Sequence, residues 1–445
     1  MIDMCADFRR IADAFVQLPA AIRPLVCFLI CFSAVASARA EILLRWDQPQ
    51  VPSRESLGIS TLVVRAKNTA AVKRARDQGY RLYLQIDAAD AASFVPPAGS
   101  GITVLVSGKL SPAQLKQLRQ RMGPARRVIS VDERGKWPHI RTNWVTKNNG
   151  VLQVTGRSAQ PWIENNAALL RLARPEAGEA TPVFTYSWRP ITLSDVDEGP
   201  SLDDYLVAIA ESGSFGGDLL LPLHERFERG LLLGQPQARS DWTEIRRYIE
   251  FYSWNLPDRY QPIANIGVVT SEPTLWFEVM NLLARHNLPC ELLSPASLVS
   301  RPLKGLDLLV VLDEPGQSQN DALAAFERGG GQVIRMLKGV ADPNAFALDV
   351  RQKLGRARRV VDIWNGITVL VAPFQEPNGT SMLLTIVNYA HQDLPVQLRV
   401  KGSFSQVRYE SPEDPGALLP SQNRDGFTEF VLPALRIGGR VFLSR

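Results

Sequence analysis

The chain has 445 residues, with 50 Lys and Arg against 45 Asp and Glu, a formal charge of +5 and 45% hydrophobic residues. That length exceeds one ordinary core, so several domains are expected, and the composition is that of a soluble globular protein. Basic residues interleave with acids and form no dense stripe, which argues against a nucleic-acid partner. The densest basic run, Arg351, Lys353, Arg356, Arg358 and Arg359, reads equally as an exposed helix end or as an anion site.

The first forty residues differ from the rest. Arg9, Arg10 and Arg23 precede the apolar run 25–32, and small residues fill 33–40. This pattern predicts a signal peptide over 1–40, cleaved after Ala38 or Ala40, and a secreted or periplasmic protein. The apolar run is shorter than the ~20 residues that span a bilayer, so no stable span is expected after cleavage. Cys5, Cys27 and Cys31 would leave with the peptide, and Cys290 would remain with no partner for an internal disulfide. One cysteine and four scattered histidines carry no metal signature, and nothing in the chain asks for a cofactor.

From residue 41 to 257 apolar β-type runs alternate with helical segments, as in successive βα units. Strands are predicted at 59–64, 80–86, 102–106, 127–131, 182–188 and 217–223. Helices are predicted at 69–78, from Ser111-Pro112 to Met122, and at 161–174, 202–212, 227–234 and 242–254. That makes six clear units of an α/β barrel of the TIM type, incomplete unless further strands hide at 42–45 and 228–237. After a Pro-rich linker, 262–365 reads as a small doubly wound, flavodoxin-like α/β domain. From 366 to 445, short β runs separated by Gly, Pro, Asn and Asp predict an antiparallel β-sandwich.

Acids at strand ends are the candidates for chemistry, because ligands in parallel α/β folds bind where the strands finish. Val131-Asp132-Glu133-Arg134 closes the strand at 127–131, and an insertion from 133 to about 160 follows it. This insertion carries Trp137, His139, Arg141, Asn143 and Trp144, which suggests an ordered, functional loop. Asp87 ends the strand at 80–86, and His224-Glu225 ends the strand at 217–223. Each has an ordinary alternative: an acid can pair with arginine across a barrel mouth, and a tryptophan can cover a core.

In order of parts, the chain resembles the family 42 type of secreted glycoside hydrolases. The stretch IANIGVVTSEPTLWFEVMNLLARHNLPCELLS looks like their class I amidotransferase-like domain, and LLTIVNYAHQDLPVQLRV with LPALRIGGRVFLS looks like their terminal sandwich. The resemblance implies two catalytic carboxylates at the barrel rim, a middle domain without a nucleophile, and self-association through that domain. It also implies an Asn-Glu pair after the fourth strand and a Glu after the seventh. Here the fourth strand counted ends Val131-Asp132-Glu133 with no Asn, and Glu225 follows the sixth. Asp132, Glu133 and Glu225 are therefore the catalytic candidates. Asp87, Arg134, Trp137, His139, Arg141, Asn143, Trp188 and His224 are the candidates for binding a carbohydrate. The alternative is an inactive carbohydrate-binding or scaffold protein that keeps the architecture. An esterase or amidotransferase activity would need a nucleophile elbow, and Asp313-Glu314-Pro315-Gly316 offers none.

Overall fold

The computed structural model describes residues 41–97, 102–108, 110–123, 128–131, 145–148, 151–154, 167–168, 183–185, 199–253, 260–272, 277–336, 343–366, 368–390 and 392–445. The first half runs β1 (Ile42–Trp46), α1 (Arg54–Leu57), β2 (Thr61–Arg65), α2 (Thr69–Asp77), β3 (Arg81–Asp87), β4 (Thr103–Ser107), α3 (Pro112–Met122) and β5 (Val128–Val131). A hairpin of β6 (Val145–Asn148) and β7 (Val151–Val154) follows, inside the long insertion. Then come β8 (Val183–Thr185), α4 (Leu202–Phe215), β9 (Asp218–Pro222), α5 (Glu225–Leu232) and α6 (Pro236–Tyr252).

Seven parallel strands form one sheet in the order β5-β4-β3-β2-β1-β9-β8. Its edge strands β5 and β8 lie with Cα atoms within 8 Å of each other, so the sheet curls into an incompletely closed barrel. The strand hidden at the start of the chain is real, since β1 pairs with both β2 and β9. The region 228–237 holds no further strand, because α5 and α6 occupy it. Strand numbers therefore shift: Asp132 and Glu133 follow the fifth barrel strand, and Glu225 follows the seventh.

Alternation along the strands explains the near-continuous apolar runs in the sequence, because both faces are covered. Leu43, Val63, Tyr83, Leu105, Val183 and Leu220 meet inside the barrel. Leu44, Trp46, Leu62 and Val64 face outward and pack against α4 and α6 residues such as Ile209, Ile245 and Tyr248. Local signals set the helix starts. Ser111 with Gln114, and Ser201 with Asp204, form capping boxes that satisfy otherwise orphaned first-turn N–H groups.

Beyond the barrel lie β10 (Gln261–Pro262), β11 (Ile266–Val269), α7 (Phe277–Arg285), β12 (Cys290–Leu293), α8 (Ser297–Ser300), β13 (Leu308–Val311), α9 (Gln317–Arg328), β14 (Gln332–Arg335) and α10 (Pro343–Leu354). Parallel strands in the order β12-β11-β13-β14 make a small open sheet, with Cys290 a buried thiol on β12. The chain ends with β15 (Val361–Trp364), β16 (Val369–Gln375), β17 (Ser381–Asn388), β18 (Leu394–Lys401), β19 (Gln406–Glu410), β20 (Ala417–Leu418), β21 (Ser421–Arg424), β22 (Phe427–Leu435) and β23 (Gly438–Ser444). These strands, with β10, form a six-stranded sheet, β10-β16-β17-β23-β19-β20, and a four-stranded sheet, β15-β18-β22-β21. A common core that includes Val371, Leu384, Leu398 and Leu432 joins the two sheets.

Barrel helices pack directly on the six-stranded sheet. Leu370, Leu383 and Ile437 share a core with Tyr205, Ile209 and Tyr252, and Thr385 Oγ1 donates to the Ser214 carbonyl at 2.7 Å. The open sheet is tied to the sandwich through Asn287, whose φ of 54° lies in the left-handed region. Its Nδ2 donates to the Val369 carbonyl at 2.9 Å, and its Oδ1 accepts from Val371 N–H at 2.7 Å. Asn287→Ala is expected to cost about 2–4 kcal/mol, from the left-handed backbone penalty and two lost hydrogen bonds. A urea unfolding curve checks this; a loss below ~1 kcal/mol would mean that the tie contributes little.

Candidate functional site

On five of the barrel strands the inward positions nearest the C-terminal end are polar: Arg45 on β1, Arg65 on β2, Gln85 and Asp87 on β3, Ser107 on β4 and Thr185 on β8. They continue the inward rows of Leu43, Val63, Tyr83, Leu105 and Val183, two residues further along each strand and, for Asp87, four. Apolar packing thus fills the middle of the barrel, and polar groups line its mouth.

Asp47, just past β1, is held between two guanidinium groups. Arg45 Nε reaches Asp47 Oδ2 at 3.0 Å and Arg65 Nε reaches Asp47 Oδ1 at 3.0 Å, with Arg45 largely covered and Arg65 half exposed. The loop carrying Asp47 is fixed from beneath by Glu228 on α5. The Glu228 carboxyl is fully buried and accepts from the backbone N–H of Asp47 at 2.8 Å and of Gln48 at 3.2 Å. Burial pushes its pKa up to about 8, and the two backbone N–H groups oppose that shift without cancelling it. Asn68 Nδ2 adds a bond to the Asp47 carbonyl at 3.1 Å.

Beside this cluster, residues at the ends of β2 and β3 line a pocket of about 340 Å³, among them Arg65, Lys67, Gln85, Asp87, Asp90 and Phe94. The Lys67 ammonium bridges Asp90 at 2.9 Å and Asp87 at 3.5 Å. Hydrogen bonding to Asp90 raises the Lys67 pKa above its ordinary value, so this cation persists through neutral pH. Gln85 Nε2 donates to Ser107 Oγ at 2.6 Å. Gln85 Oε1 and Thr185 Oγ1 are shielded from solvent without a hydrogen-bond partner among the described residues. Such groups at a barrel mouth suit a ligand rich in hydroxyls.

The sequence-predicted site divides into two sets. Asp132, Glu133, Arg134, Trp137, His139, Arg141, Asn143 and Trp188 lie outside the described residues. Asp87, His224 and Glu225 lie within them. Asp87 joins the Lys67 pocket. His224 is the N-cap of α5: its Nδ1 accepts from Arg226 N–H at 3.3 Å, and its own N–H donates to Tyr205 Oη at 2.9 Å. Glu225, in the first turn of α5, is exposed and pairs with Arg229 at 2.5 Å. An exposed i,i+4 pair of this kind contributes little to stability, so the carboxylate can turn to another partner at small cost. Asp87 and Glu225 are separated in the sheet by β2 and β1.

Sequence reasoning missed Arg45, Asp47, Arg65, Gln85 and Glu228. Inward parity would have found the first, third and fourth once β1 was recognised as a strand. Glu228 had no such signal, because ERFERG reads as a solvent-facing helix turn. Among the described residues no cluster of His, Cys, Asp and Glu could hold a metal ion. Likewise, no described helix is long and apolar enough to cross a membrane.

No protein-family model and no curated protein matches the chain. Solved structures do. Alpha-L-fucosidase isoenzyme 2 from Paenibacillus thiaminolyticus superposes with a TM-score of 0.57 at 9% identity, over 91% of this chain and 99% of that one. A rhamnosidase from Novosphingobium sp. PP1Y gives a TM-score of 0.43 at 11% identity over 84% and 38% of the two chains. A GH42 β-galactosidase from G. stearothermophilus gives 0.41 at 7% identity over 85% and 66%. Of these three, the fucosidase carries the comparison of folds. The curled parallel sheet with its added sheets is thus similar in fold to that of the fucosidase.

Proposed function

We propose that the chain is a secreted or periplasmic carbohydrate-active protein that hydrolyses a glycosidic bond at the C-terminal mouth of the barrel. The observation that carries this reading is the likeness in fold to an α-L-fucosidase over nearly the whole of both chains. Hydrolysis would use a carboxyl pair, Asp132 or Glu133 with Glu225, spaced ~5–5.5 Å for retention or ~6.5–9.5 Å for inversion. Glu225 emerges just after the seventh barrel strand on a helix start, and among the described residues Arg229 of its own helix is the one that engages it. Trp137 and Trp188 would stack on sugar faces, and His139, Arg141 and Asn143 would bond hydroxyls. Asp87, Arg134 and His224 would complete the rim. The small open sheet is read as an amidotransferase-like domain without a nucleophile, and self-association through it remains part of the proposal.

A second reading is a carbohydrate-binding protein without turnover. It is favoured by the fourth barrel strand, which ends Ser107-Gly108-Lys109 with no acid, and by the ion pairs that occupy Asp47, Asp87 and Asp90. Purified protein assayed against aryl glycosides and polysaccharide arrays separates the two. Under the first reading wild type turns over at least one glycoside, and Glu225→Gln lowers kcat about 10²–10⁴-fold while binding persists. Binding without turnover by both proteins would establish the second. No binding by either would remove both.

A further inference from the structure

A second concavity lies far along the chain from the residues of the barrel mouth, between the open sheet and the sandwich. A cleft of about 790 Å³ opens there, floored by the end of α7 and by α10 and walled by β15 and the turn after it. Its volume falls within the ~300–1,000 Å³ range of small-molecule sites. One wall is apolar: Leu348 is 58% exposed, and Ile363, Trp364 and Leu394 are only partly covered. The other wall presents Arg285, His286, Arg351 and Asn365.

Charge in this cleft is unbalanced. Buried Asp362 serves three arginines at once: Arg359 at 2.6 Å and Arg351 at 3.3 Å on the same oxygen, and Arg399 at 3.6 Å on the other. Arg399 has a second acid, Glu429, at 3.5 Å. Arg351 holds the longer contact to a shared oxygen, and among the described residues Asp362 is its one partner. Arg285 sits in the last turn of α7, where it offsets the negative end of that helix. Arg356 lies over the Trp364 ring, 5.8 Å from its centroid, and adds a further positive charge. Burial, together with Arg351 and Arg285, lowers the His286 pKa, so His286 faces the cleft as a neutral hydrogen-bonding ring. Of the basic run read from the sequence as either a helix end or an anion site, Arg351 lines this cleft and Arg356 lies over its indole.

We propose that this cleft binds a carboxylate-bearing saccharide, with Arg351 taking the carboxylate and Trp364 stacking on the sugar ring. Arg fits a carboxylate through paired N–H donors, and an indole face offers a flat apolar surface to a pyranose. The anion half stands on the charge excess alone. The saccharide half rests on the carbohydrate reading of the barrel.

Isothermal titration of the full chain with tri-galacturonate, the matching neutral trigalactose and inorganic phosphate tests it. Tri-galacturonate is expected to bind at least about tenfold more tightly than either of the others, and more weakly as salt rises. Arg351→Gln and Trp364→Leu should each weaken it about tenfold or more. Arg351→Lys keeps a cation beside Asp362 and guards against a folding defect, and it should recover only part of the affinity. Glu225→Gln, at the barrel, should leave binding unchanged, so failure of turnover there and failure of binding here are read separately. Absence of tri-galacturonate binding at millimolar concentration, or binding that survives both Arg351→Gln and Trp364→Leu, overturns the proposal. Phosphate binding as tightly as tri-galacturonate overturns the saccharide half and leaves a simple anion site.

Discussion

Glu228→Ala is expected to lower the free energy of unfolding by about 3–5 kcal/mol. The carboxyl is fully buried and is the acceptor for two backbone N–H groups, those of Asp47 and Gln48. Each N–H left unsatisfied costs about 1–3 kcal/mol, and the vacated volume adds a cavity penalty. The loss should also release Asp47 from between Arg45 and Arg65, so whatever the barrel mouth binds should weaken together with stability. Denaturant unfolding monitored by tryptophan fluorescence measures the first effect, and titration with the saccharide found in the screen measures the second.

A pH dependence separates the charge of Glu228 from its geometry. Its pKa in the folded protein is raised to about 8 from an ordinary value of 4.5. A raised folded-state pKa means that the native state binds the proton more tightly than the unfolded chain does. This group's contribution is therefore fully present below about pH 4.5 and is lost as pH rises through about 8. Glu228→Gln keeps one acceptor oxygen and cannot ionise, so its stability should fall less than that of wild type between pH 5 and pH 9. Parallel pH profiles for the two proteins would show that the buried carboxyl is already ionised across this window.

Tyr252→Ala is expected to cost a further, independent 3–5 kcal/mol, the range for removing a large buried aromatic. Tyr252 ends α6 and is only 2% exposed, with its ring edge-on to Phe251 at 4.9 Å. Two glycines make room for it, one on each side of the junction between barrel and sandwich. A Cβ at Gly213 on α4 would come within 2.6 Å of the Tyr252 ring, and one at Gly438 on β23 would meet the Ile386 carbonyl at 2.7 Å as well as the Tyr252 hydroxyl. Arg440 on β23 donates to the Phe251 carbonyl and stacks over the Phe251 ring at 4.0 Å, which closes the same contact. Tyr252→Phe preserves the volume and should lose less than about 1.5 kcal/mol. If alanine and phenylalanine behave alike, packing at this junction is not what holds the two layers together.

Much of the architecture is legible in the order of residues, and for local reasons. Runs such as TLVVR, TVLVS and DLLLP carry three consecutive apolar residues at their centres because both faces of a parallel strand are covered, and this makes them stand out. Ser111-Pro112 and Ser201 announce helix starts through their own side chains. In the closing segment LPVQLRVK alternates apolar residues with proline or polar ones as a sandwich strand should, and only Arg399 of the latter is buried. The period of the pattern thus separates two parallel sheets from the antiparallel ones without reference to any contact.

Other features depended on long-range neighbours. β1, ILLRW, reads as an isolated short run until β2 and β9 flank it, which is why six barrel strands were counted where the described residues form seven. Glu225 and Glu228 are three residues apart on one helix, and nothing in the sequence says which of them is buried. One is exposed and paired with Arg229, and the other is fully buried beneath the β1 loop. The residues that meet in the cleft of Arg351 and Trp364 come from α7, α10 and β15, and no local pattern links them. Hydrophobic period and capping are properties of a few adjacent residues, so the sequence alone determined the kinds of sheet and their order. Burial of a charge and convergence of side chains depend on which distant surfaces pack together, and only the tertiary structure decided those.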